Sequence, residues 1–337
     1  MVDIRSDWTP DEIGALYDLP LMELIYRASD IHRTTDQGGE VQVCTLLSVK
    51  TGGCPEDCAY CPQAARYHTD VNVHKLMDVD QVRQAAKAAK NSGSTRFCMG
   101  AAWREVRNNR DFDKVLEMIS AVKDEGLEVC ATMGMATEEQ LVQMREAGLY
   151  AYNHNLDSSE EFYDDIISTR AYNERLQTLR NIRSAGVTVC CGGIVGMGET
   201  RADRINFLHT LCTMAPHPES VPINALVAVE GTPLEDRPEV DTWTMVRMIA
   251  LARILMPRSM VRLSAGRVNM SQEAQALCFL AGANSIFAGD KLLTTPNNEL
   301  DSDTQLFQLL GLKARPAYKE AGNPTAAAQE LKETINA

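Results

Sequence analysis

Three cysteines stand close together in the segment CPEDCAYC, which follows an apolar run and two glycines. Cys54, Cys58 and Cys61 have the spacing C-x3-C-x2-C. A structural zinc site takes four ligands, and a four-iron cubane normally takes one thiolate on each iron. Three thiolates without a local fourth would leave one iron open to a small molecule. The segment therefore predicts a [4Fe–4S] cluster with an open iron; a degenerate zinc knuckle or three unrelated core cysteines are the alternatives.

A second set of cysteines falls on predicted strands. Cys98 lies on the second strand, Cys130 on the third, and Cys190 and Cys191 on the fifth. Because a barrel points alternate residues at a shared axis, these cysteines could together ligate a deeper cluster, and a [2Fe–2S] cluster needs four ligands. Because side chains alternate along a strand, only one of Cys190 and Cys191 can face that axis. Arg262 on the seventh strand is, from its charge alone, a partner for a cluster or for a carboxylate.

The fourth predicted strand reads YNHNLD and is unusually polar. Period-two alternation puts Asn153, Asn155 and Asp157 on one face and His154 on the other. Amides and a carboxylate facing a barrel axis are costly unless a polar ligand or a hydrogen-bond network satisfies them. Asn224 on the sixth strand adds another amide. We therefore expect a polar binding surface here, and a packing role for His154.

Two further features lie after the fourth and fifth strands. The glycine-rich run 192–198 permits close backbone approach, and Ile194 within it offers an apolar surface to a flat ring. Arg170 and Arg175 flank the start of the helix after the fourth strand. Either arginine could pair bidentately with a substrate carboxylate, and a surface ion pair is the alternative.

The elements that must position these residues follow a regular rhythm from about residue 40 onwards. The predicted strands are 43–49, 95–100, 128–133, 151–156, 188–195, 221–227, 260–264 and 285–288. The predicted helices between them are 80–89, 114–123, 138–147, 173–185, 201–214, 242–255 and 272–281. This alternation predicts an α/β fold of the (β/α)8 TIM barrel type, whose active site lies at the C-terminal ends of the strands. A doubly wound sheet is the main competitor, but no G-x-G-x-x-G turn follows the first strand.

Sequence signals also divide the chain. Thr9-Pro10-Asp11-Glu12 is a capping box with proline at the first helical position. An N-terminal helical cap is therefore expected over 1–39, followed by the barrel over 40–312. A mobile C-terminal tail is expected over 313–337, which is rich in Lys, Ala and Glu.

Composition limits the partners and the compartment. A net charge of −13 on 337 residues argues against nucleic acid or an anionic membrane surface as a partner. No secretory signal or membrane span is recognisable. Ten cysteines indicate a reducing compartment, and we expect a cytoplasmic protein. Cys44, Cys212 and Cys278 are interpreted as packing residues, because a lone buried cysteine behaves as a small hydrophobe.

Taken together, the motifs CPEDCAYC, FCMGAAW, YNHNLD, CGGIVGMGET and VRLSAGR resemble those of the biotin synthases of the radical S-adenosylmethionine superfamily. The resemblance implies a radical sulfurtransferase that inserts sulfur into dethiobiotin to form biotin, the last step of biotin biosynthesis. The implied cofactors are a [4Fe–4S] cluster, S-adenosylmethionine and a [2Fe–2S] cluster that donates the sulfur. The implied partners are dethiobiotin, a flavodoxin-type electron donor, iron–sulfur assembly proteins and a second copy of the chain in a homodimer.

The resemblance also implies a role for each site residue. The [4Fe–4S] ligands would be Cys54, Cys58 and Cys61, and the [2Fe–2S] ligands Cys98, Cys130, Cys190 and Arg262. The S-adenosylmethionine contacts would be Tyr60, Gly100, Ala101, Ala102, Asp157, Arg175 and Ile194. Dethiobiotin would be positioned by Asn153, Asn155 and Asn224.

Two rival functions remain open from the sequence. Another radical S-adenosylmethionine barrel enzyme, of the hydrogenase-maturation or methylornithine-synthase type, would share the cysteine loop without needing the second cysteine set. An iron–sulfur carrier would need neither an adenine pocket nor buried amides.

Overall fold

The computed structural model describes residues 4–35, 39–289, 291–298 and 300–318, and its parallel strands form a closed barrel. Eight positions around the barrel follow chain order, and the last strand pairs with the first through Gln42–Ser285 and Cys44–Phe287. The predicted (β/α)8 barrel is therefore confirmed. Its strands are β1 (Glu40–Lys50), β2 (Arg96–Ala101), β3 (Glu128–Thr132), β4 (Ala151–Asn153), β5 (Thr188–Cys190), β6 (Gly193–Val195), β7 (Ser220–Ala225), β8 (Met260–Leu263) and β9 (Ser285–Phe287).

Helices connect the strands and cover the outside of the barrel. They are α1 (Pro10–Tyr17), α2 (Leu21–Thr35), α3 (Val79–Asn91), α4 (Arg110–Asp124), α5 (Glu138–Ala147), α6 (Glu160–Tyr163), α7 (Tyr172–Ser184), α8 (Arg201–Cys212), α9 (Thr242–Leu255), α10 (Gln272–Leu280) and α11 (Leu300–Leu310). Thr9 and Glu12 form the predicted capping box at the start of α1. Within the described ranges, no helix is long and apolar enough to cross a membrane.

The fifth barrel strand is broken, although 188–195 was predicted as one strand. β5 pairs with β4, whereas β6 pairs with β7 from Gly193 to Val195. Gly192 lies at the break, where a Cβ atom would stand 1.9 Å from the carbonyl oxygen of Pro222. Such a distance is impossible for two non-bonded atoms, so only glycine lets the chain cross β7 this closely.

A buried polar cluster closes the barrel at the N-terminal ends of its strands. Arg96 forms an ion pair with Glu128 at 2.8 Å, and Gln42 Nε2 donates to the same carboxylate at 3.1 Å. The backbone N–H of Tyr318 donates to the other oxygen of Glu128 at 2.8 Å. These paired groups seal this end of the barrel without leaving the charges uncompensated.

The N-terminal helices lie against α8 and α9 on the outside of the barrel. Arg201 Nη2 donates to the carbonyl oxygen of Gly14 at 3.1 Å, and Arg247 Nη1 donates to that of Leu19 at 2.9 Å. At the other end of the chain, β12 (Lys313–Ala314) pairs in parallel with the start of β1. The ordered chain thus extends past the boundary expected at residue 312, and the rest of the expected tail, 319–337, lies outside the described residues.

Candidate active site

A cavity of about 360 Å³ lies at the C-terminal ends of the barrel strands. The three loop cysteines on its wall are partly exposed, whereas Cys98, Cys130 and Cys190 are buried. Every residue that the sequence assigned to the clusters, to S-adenosylmethionine or to dethiobiotin lines this one cavity. The fold therefore brings both cysteine sets together with the polar fourth strand and the glycine-rich run.

Backbone hydrogen bonds shape the cysteine loop after β1. The N–H of Cys61 donates to the carbonyl oxygen of Cys58 at 2.9 Å. The N–H of Cys54 donates to Gln63 at 2.9 Å, and its carbonyl accepts from Ala65 at 2.8 Å. These backbone hydrogen bonds help to hold the three cysteines in one compact turn.

Two acids between the cysteines anchor the loop to the segment before α7. Asp57 Oδ1 accepts from the backbone N–H groups of Ser168 at 2.9 Å and Thr169 at 3.1 Å. Burial opposes ionisation of Asp57, but hydrogen bonds from the hydroxyl groups of Ser168 and Thr169, and then from their backbone N–H groups, lower its pKa to about 2. Glu56 pairs with Arg104 at 2.9 Å and with Arg170 at 3.0 Å. These anchors were not assigned from the sequence, although both acids lie within the motif itself.

Burial dominates the thiol pKa values in the loop. It raises the pKa of Cys58 to about 12 and that of Cys61 to about 11, and it also raises the pKa of Cys54. Among the described residues, no three Cys, His, Asp or Glu side chains converge on a point that could hold a single metal ion. Three partly exposed thiols on one turn beside the cavity suit a cluster with three protein ligands and one iron left open.

The second set forms a ring of side chains deep in the barrel. Thiol contacts link Cys98 with Cys130 and Cys130 with Cys190. Arg262 Nη1 donates to Cys190 Sγ at 3.7 Å, and its Nη2 donates to Cys44 Sγ at 3.4 Å. Cys44 also contacts Cys98, which closes the ring. The interpretation of Cys44 as a packing residue is therefore corrected: its sulfur belongs to the polar ring, whereas Cys212 and Cys278 are buried in the core as expected.

Arg262 is buried, and it donates to neutral oxygen acceptors as well as to the two cysteine sulfurs. Its Nε donates to Ser285 Oγ at 2.9 Å, and its Nη2 donates to Ser220 Oγ at 3.2 Å and Gln42 Oε1 at 3.3 Å. Burial lowers the pKa of this guanidinium, but the charges of Cys44 and Cys190 outweigh burial and raise it. For Cys44, burial raises the thiol pKa, but the bond with Cys98 and the charge of Arg262 lower it to about 6.

The adjacent cysteines of the fifth strand face opposite ways. Cys190 contacts Cys130 and Arg262 inside the barrel. Cys191 is fully buried in the apolar core that also holds Leu208, and burial raises its pKa to about 12. The geometry therefore presents Cys190, and not Cys191, to the cavity.

Hydrogen bonds within the protein hold the three amides of the site. Asn153 Nδ2 donates to Asn155 Oδ1 at 3.0 Å and to Cys190 Sγ at 3.2 Å. Asn224 Nδ2 donates to the carbonyl oxygen of Gly193 at 2.9 Å, and its Oδ1 accepts from the N–H of Ala265 at 3.2 Å. Each amide can form four hydrogen bonds, so capacity for a ligand remains.

Asp157 and Arg175 form a buried ion pair at 2.5 Å on the cavity wall. Tyr60 Oη donates to the same carboxylate at 2.8 Å. Arg175 also donates to Tyr163 Oη at 2.6 Å and to the carbonyl oxygen of Asn155 at 2.7 Å. Burial lowers the pKa of Arg175, but the Asp157 charge raises it well above its usual value. Asp157 adopts φ = 68°, a left-handed conformation that is uncommon outside glycine and is found at functional sites.

His154 is buried, as the predicted packing role requires, but it also lines the cavity. Burial and then the charge of Arg175 lower its pKa well below the usual value. Among the described residues its Nε2 atom has no hydrogen-bond partner, which suits a neutral ring.

A short hairpin that was not expected from the sequence covers part of the cavity. It consists of β10 (Lys291–Leu292) and β11 (Thr295–Pro296), and Leu292 to Thr295 line the cavity. The Leu293 side chain lies over Gly100, where an added Cβ would come within 2.8 Å of it. Gly100 thus permits the hairpin to close on the end of β2, next to Ala101 and Ala102.

Family models match two consecutive parts of the chain. Residues 48–211 match the Radical SAM superfamily, and residues 222–313 match the Biotin and Thiamin Synthesis associated domain. The first contains the cysteine loop and the second contains Arg262 and the hairpin.

Similar proteins share most of the chain. The protein named biotin synthase from Cytophaga hutchinsonii is 64% identical, and the match covers 96% of each chain. Biotin synthase from Flavobacterium psychrophilum is 57% identical over 96% of this chain and 89% of its own. Mitochondrial biotin synthase from Arabidopsis thaliana is 57% identical over 93% of this chain and 83% of its own.

Solved structures share the fold at much lower identity. Methylornithine synthase superimposes with a TM-score of 0.77 at 19% identity, covering 91% of this chain and 94% of its own. A maturase of the [FeFe]-hydrogenase superimposes with a TM-score of 0.78 at 16% identity, covering 96% of this chain and 77% of its own. At such identities the likeness shows the barrel architecture alone.

Proposed function

The chain belongs to the biotin synthase family of radical S-adenosylmethionine enzymes, and on that premise we propose that its cavity inserts sulfur into dethiobiotin through two iron–sulfur clusters. One observation carries the two-cluster proposal. The three loop cysteines line the same cavity as the buried Cys98, Cys130 and Cys190. A substrate bound in this cavity would therefore lie within reach of both cysteine sets.

The two cysteine sets have different roles. Cys54, Cys58 and Cys61 would hold a [4Fe–4S] cluster, and Cys98, Cys130, Cys190 and Arg262 would hold a [2Fe–2S] cluster. When bound, the first cluster supplies the electron that cleaves S-adenosylmethionine, and the second supplies the sulfur. The protein contributes placement and shielding, because the cofactors carry the chemistry.

The wall between the two cysteine sets suits S-adenosylmethionine. Asp157 offers carboxylate oxygens to ribose hydroxyls, and Tyr60, which it orients, lies beside the adenine with Ile194. Arg175 is already fixed by Tyr163 and Asn155. A guanidinium fixed in this way meets the methionyl carboxylate at little entropic cost. The backbone of Gly100, Ala101 and Ala102 faces the methionyl amine.

Dethiobiotin fits between that wall and the buried ring. Its ureido group needs both donors and acceptors, which the amides of Asn153, Asn155 and Asn224 provide. The hairpin residues Leu292 and Leu293 cover the cavity with apolar surface. Exclusion of water protects a radical intermediate from side reactions.

The remaining partners are proposals as well. A flavodoxin-type protein donates the electron, iron–sulfur assembly proteins load the clusters, and the chain works as a cytoplasmic homodimer. These follow from the family resemblance.

Product analysis by mass spectrometry tests the proposal. Protein reconstituted anaerobically with iron and sulfide is mixed with reductant, S-adenosylmethionine and dethiobiotin. We expect biotin together with 5′-deoxyadenosine. Formation of 5′-deoxyadenosine without biotin would contradict the substrate and favour another radical enzyme. Neither product, with both clusters intact by spectroscopy, would favour an iron–sulfur carrier.

A further inference from the structure

Cys44 is a fourth buried thiol in the ring around the second cluster site. It lies on β1, which neighbours β2 on one side and closes the barrel with β9 on the other. Its sulfur accepts a hydrogen bond from Arg262 Nη2 at 3.4 Å and contacts the thiol of Cys98. It therefore touches two of the four residues that surround the [2Fe–2S] cluster in the proposed function.

The ring holds more ligand atoms than one such cluster needs. A [2Fe–2S] cluster is most often held by four thiolates, and this chain offers four: Cys44, Cys98, Cys130 and Cys190. Arg262 is a weaker candidate ligand than any of these four cysteines, because a guanidinium resists losing the proton that blocks its lone pair.

The guanidinium of Arg262 separates Cys44 from the cavity. Arg262 lines the cavity wall, whereas Cys44 lies behind it with its sulfur on Nη2. The other neighbours of that nitrogen are the neutral Ser220 and Gln42. When the guanidinium is removed, Cys44 is the softest nearby donor for iron.

We propose that Cys44 is an alternative fourth ligand of the second cluster, able to hold the iron in place of Arg262. This inference rests on the proposed function, since it presupposes a cluster at the ring. Ligation forms one Fe–S bond and releases the thiol proton to solvent, and no oxidation state changes. Arg262 is therefore dispensable for cluster binding in this chain as long as Cys44 is present.

Four proteins test the proposal: wild type, Arg262→Met, Arg262→Met with Cys44→Ser, and Arg262→Met with Cys191→Ser. The last is the matched control, because Cys191 is an equally buried thiol that faces the outer core. Each is reconstituted anaerobically, and Mössbauer spectra count [4Fe–4S] and [2Fe–2S] clusters per chain. Resonance Raman spectra of the iron–sulfur stretches report the ligand type.

We expect Arg262→Met and the Cys191 control to keep a [2Fe–2S] cluster with the Raman pattern of four thiolates. The Cys44 double variant should lose occupancy by about tenfold or more, as metal sites do when a supporting residue is removed. Equal occupancy in both double variants would overturn the proposal, and so would loss of the cluster in Arg262→Met alone.

The [4Fe–4S] count in the same samples shows whether each variant is folded. If Arg262→Met also lacks the [4Fe–4S] cluster, the series is repeated with Arg262→Lys. That substitution keeps a cation near Ser220 and Ser285, and the same comparison of the two double variants then tests the role of Cys44. A wild-type protein that loads only the [4Fe–4S] cluster would overturn the two-cluster function, and with it this inference. Loading in wild type followed by loss in Arg262→Met would overturn this inference alone.

Discussion

At the residue scale, orientation on a strand separates two side chains of the same chemistry. Cys190 contacts Cys130 and Arg262 inside the barrel, and Cys191 packs in the outer core. A thiolate can serve a cluster only from the inner position, so the two cysteines should respond differently to substitution.

We expect Cys190→Ala to lose the second cluster and biotin formation while the [4Fe–4S] cluster stays. The cause is the loss of the sulfur that lies next to Cys130, a position in the ring that Cys44 does not occupy, because its contacts are with Cys98 and Arg262. Cys191→Ala should keep both clusters and lose stability by about 1 kcal/mol, because it removes only a small buried group. Mössbauer spectroscopy and product analysis check both variants, and loss of the second cluster in Cys191→Ala instead would contradict this assignment.

Strand alternation and the family resemblance were sufficient to predict from the sequence most of the residues that line the cavity. They failed for Cys44, because alternation gives the face of a residue but not its height along the barrel axis. That height depends on register, here the pairing of Cys44 with Arg96 and Phe287. The anchors of Glu56 and Asp57 in the segment before α7 are more than 100 residues away in sequence, and no local pattern predicts them.

At the scale of elements, the broken fifth strand depends on one glycine. Gly192 passes the backbone of β7 with no room for a methyl group. Gly14 in α1 is the contrasting case, because a Cβ atom added there would have the flexible end of Arg201 as its nearest neighbour, at 3.3 Å.

We expect Gly192→Ala to destabilise the fold by about 3 kcal/mol or more, because the added methyl group forces β6 and β7 apart. Gly14→Ala, in a helix interior, should instead stabilise it by about 0.5–1 kcal/mol. Urea unfolding of the cluster-free proteins measures both. A Gly192→Ala protein as stable as wild type would show that the strands can separate freely.

The regular elements were predictable because their periodicity is local, and the exceptions have physical reasons. The hairpin β10–β11 was missed because two-residue strands carry no period, and its turn lacks the Asn-Gly type of signal. The break at Gly192 was missed because apolar residues continue on both sides of it. The pairing of β12 with β1 joins segments far apart in sequence, which composition alone cannot show.

At the scale of the whole molecule, the proposed clusters would join segments that lie far apart in the sequence. The loop after β1 is fastened to the segment before α7, and the ring joins strands around the full barrel. A cluster that binds only the folded barrel must stabilise it.

Reconstitution with iron and sulfide should therefore raise the urea midpoint of unfolding under anaerobic conditions. A ligand present at 100 times its Kd contributes about 2.7 kcal/mol, which corresponds to roughly 1 M urea at a typical slope. The shift should be smaller in Cys58→Ala, which keeps only the ring. An unchanged midpoint on loading would mean that the clusters bind without holding these segments together.

The closed N-terminal end of the barrel limits how molecules can enter and leave the buried ring. Glu128, Arg96, Gln42 and Tyr318 plug that end, so the buried ring is reached from the side of the cysteine loop and the hairpin. If each product molecule removes sulfur from the ring, the new sulfur must enter through the same cavity opening as the nucleotide and the product. Delivery of new sulfur and binding of substrate then cannot occur at the same time, and the slowest passage through this single opening limits the turnover rate.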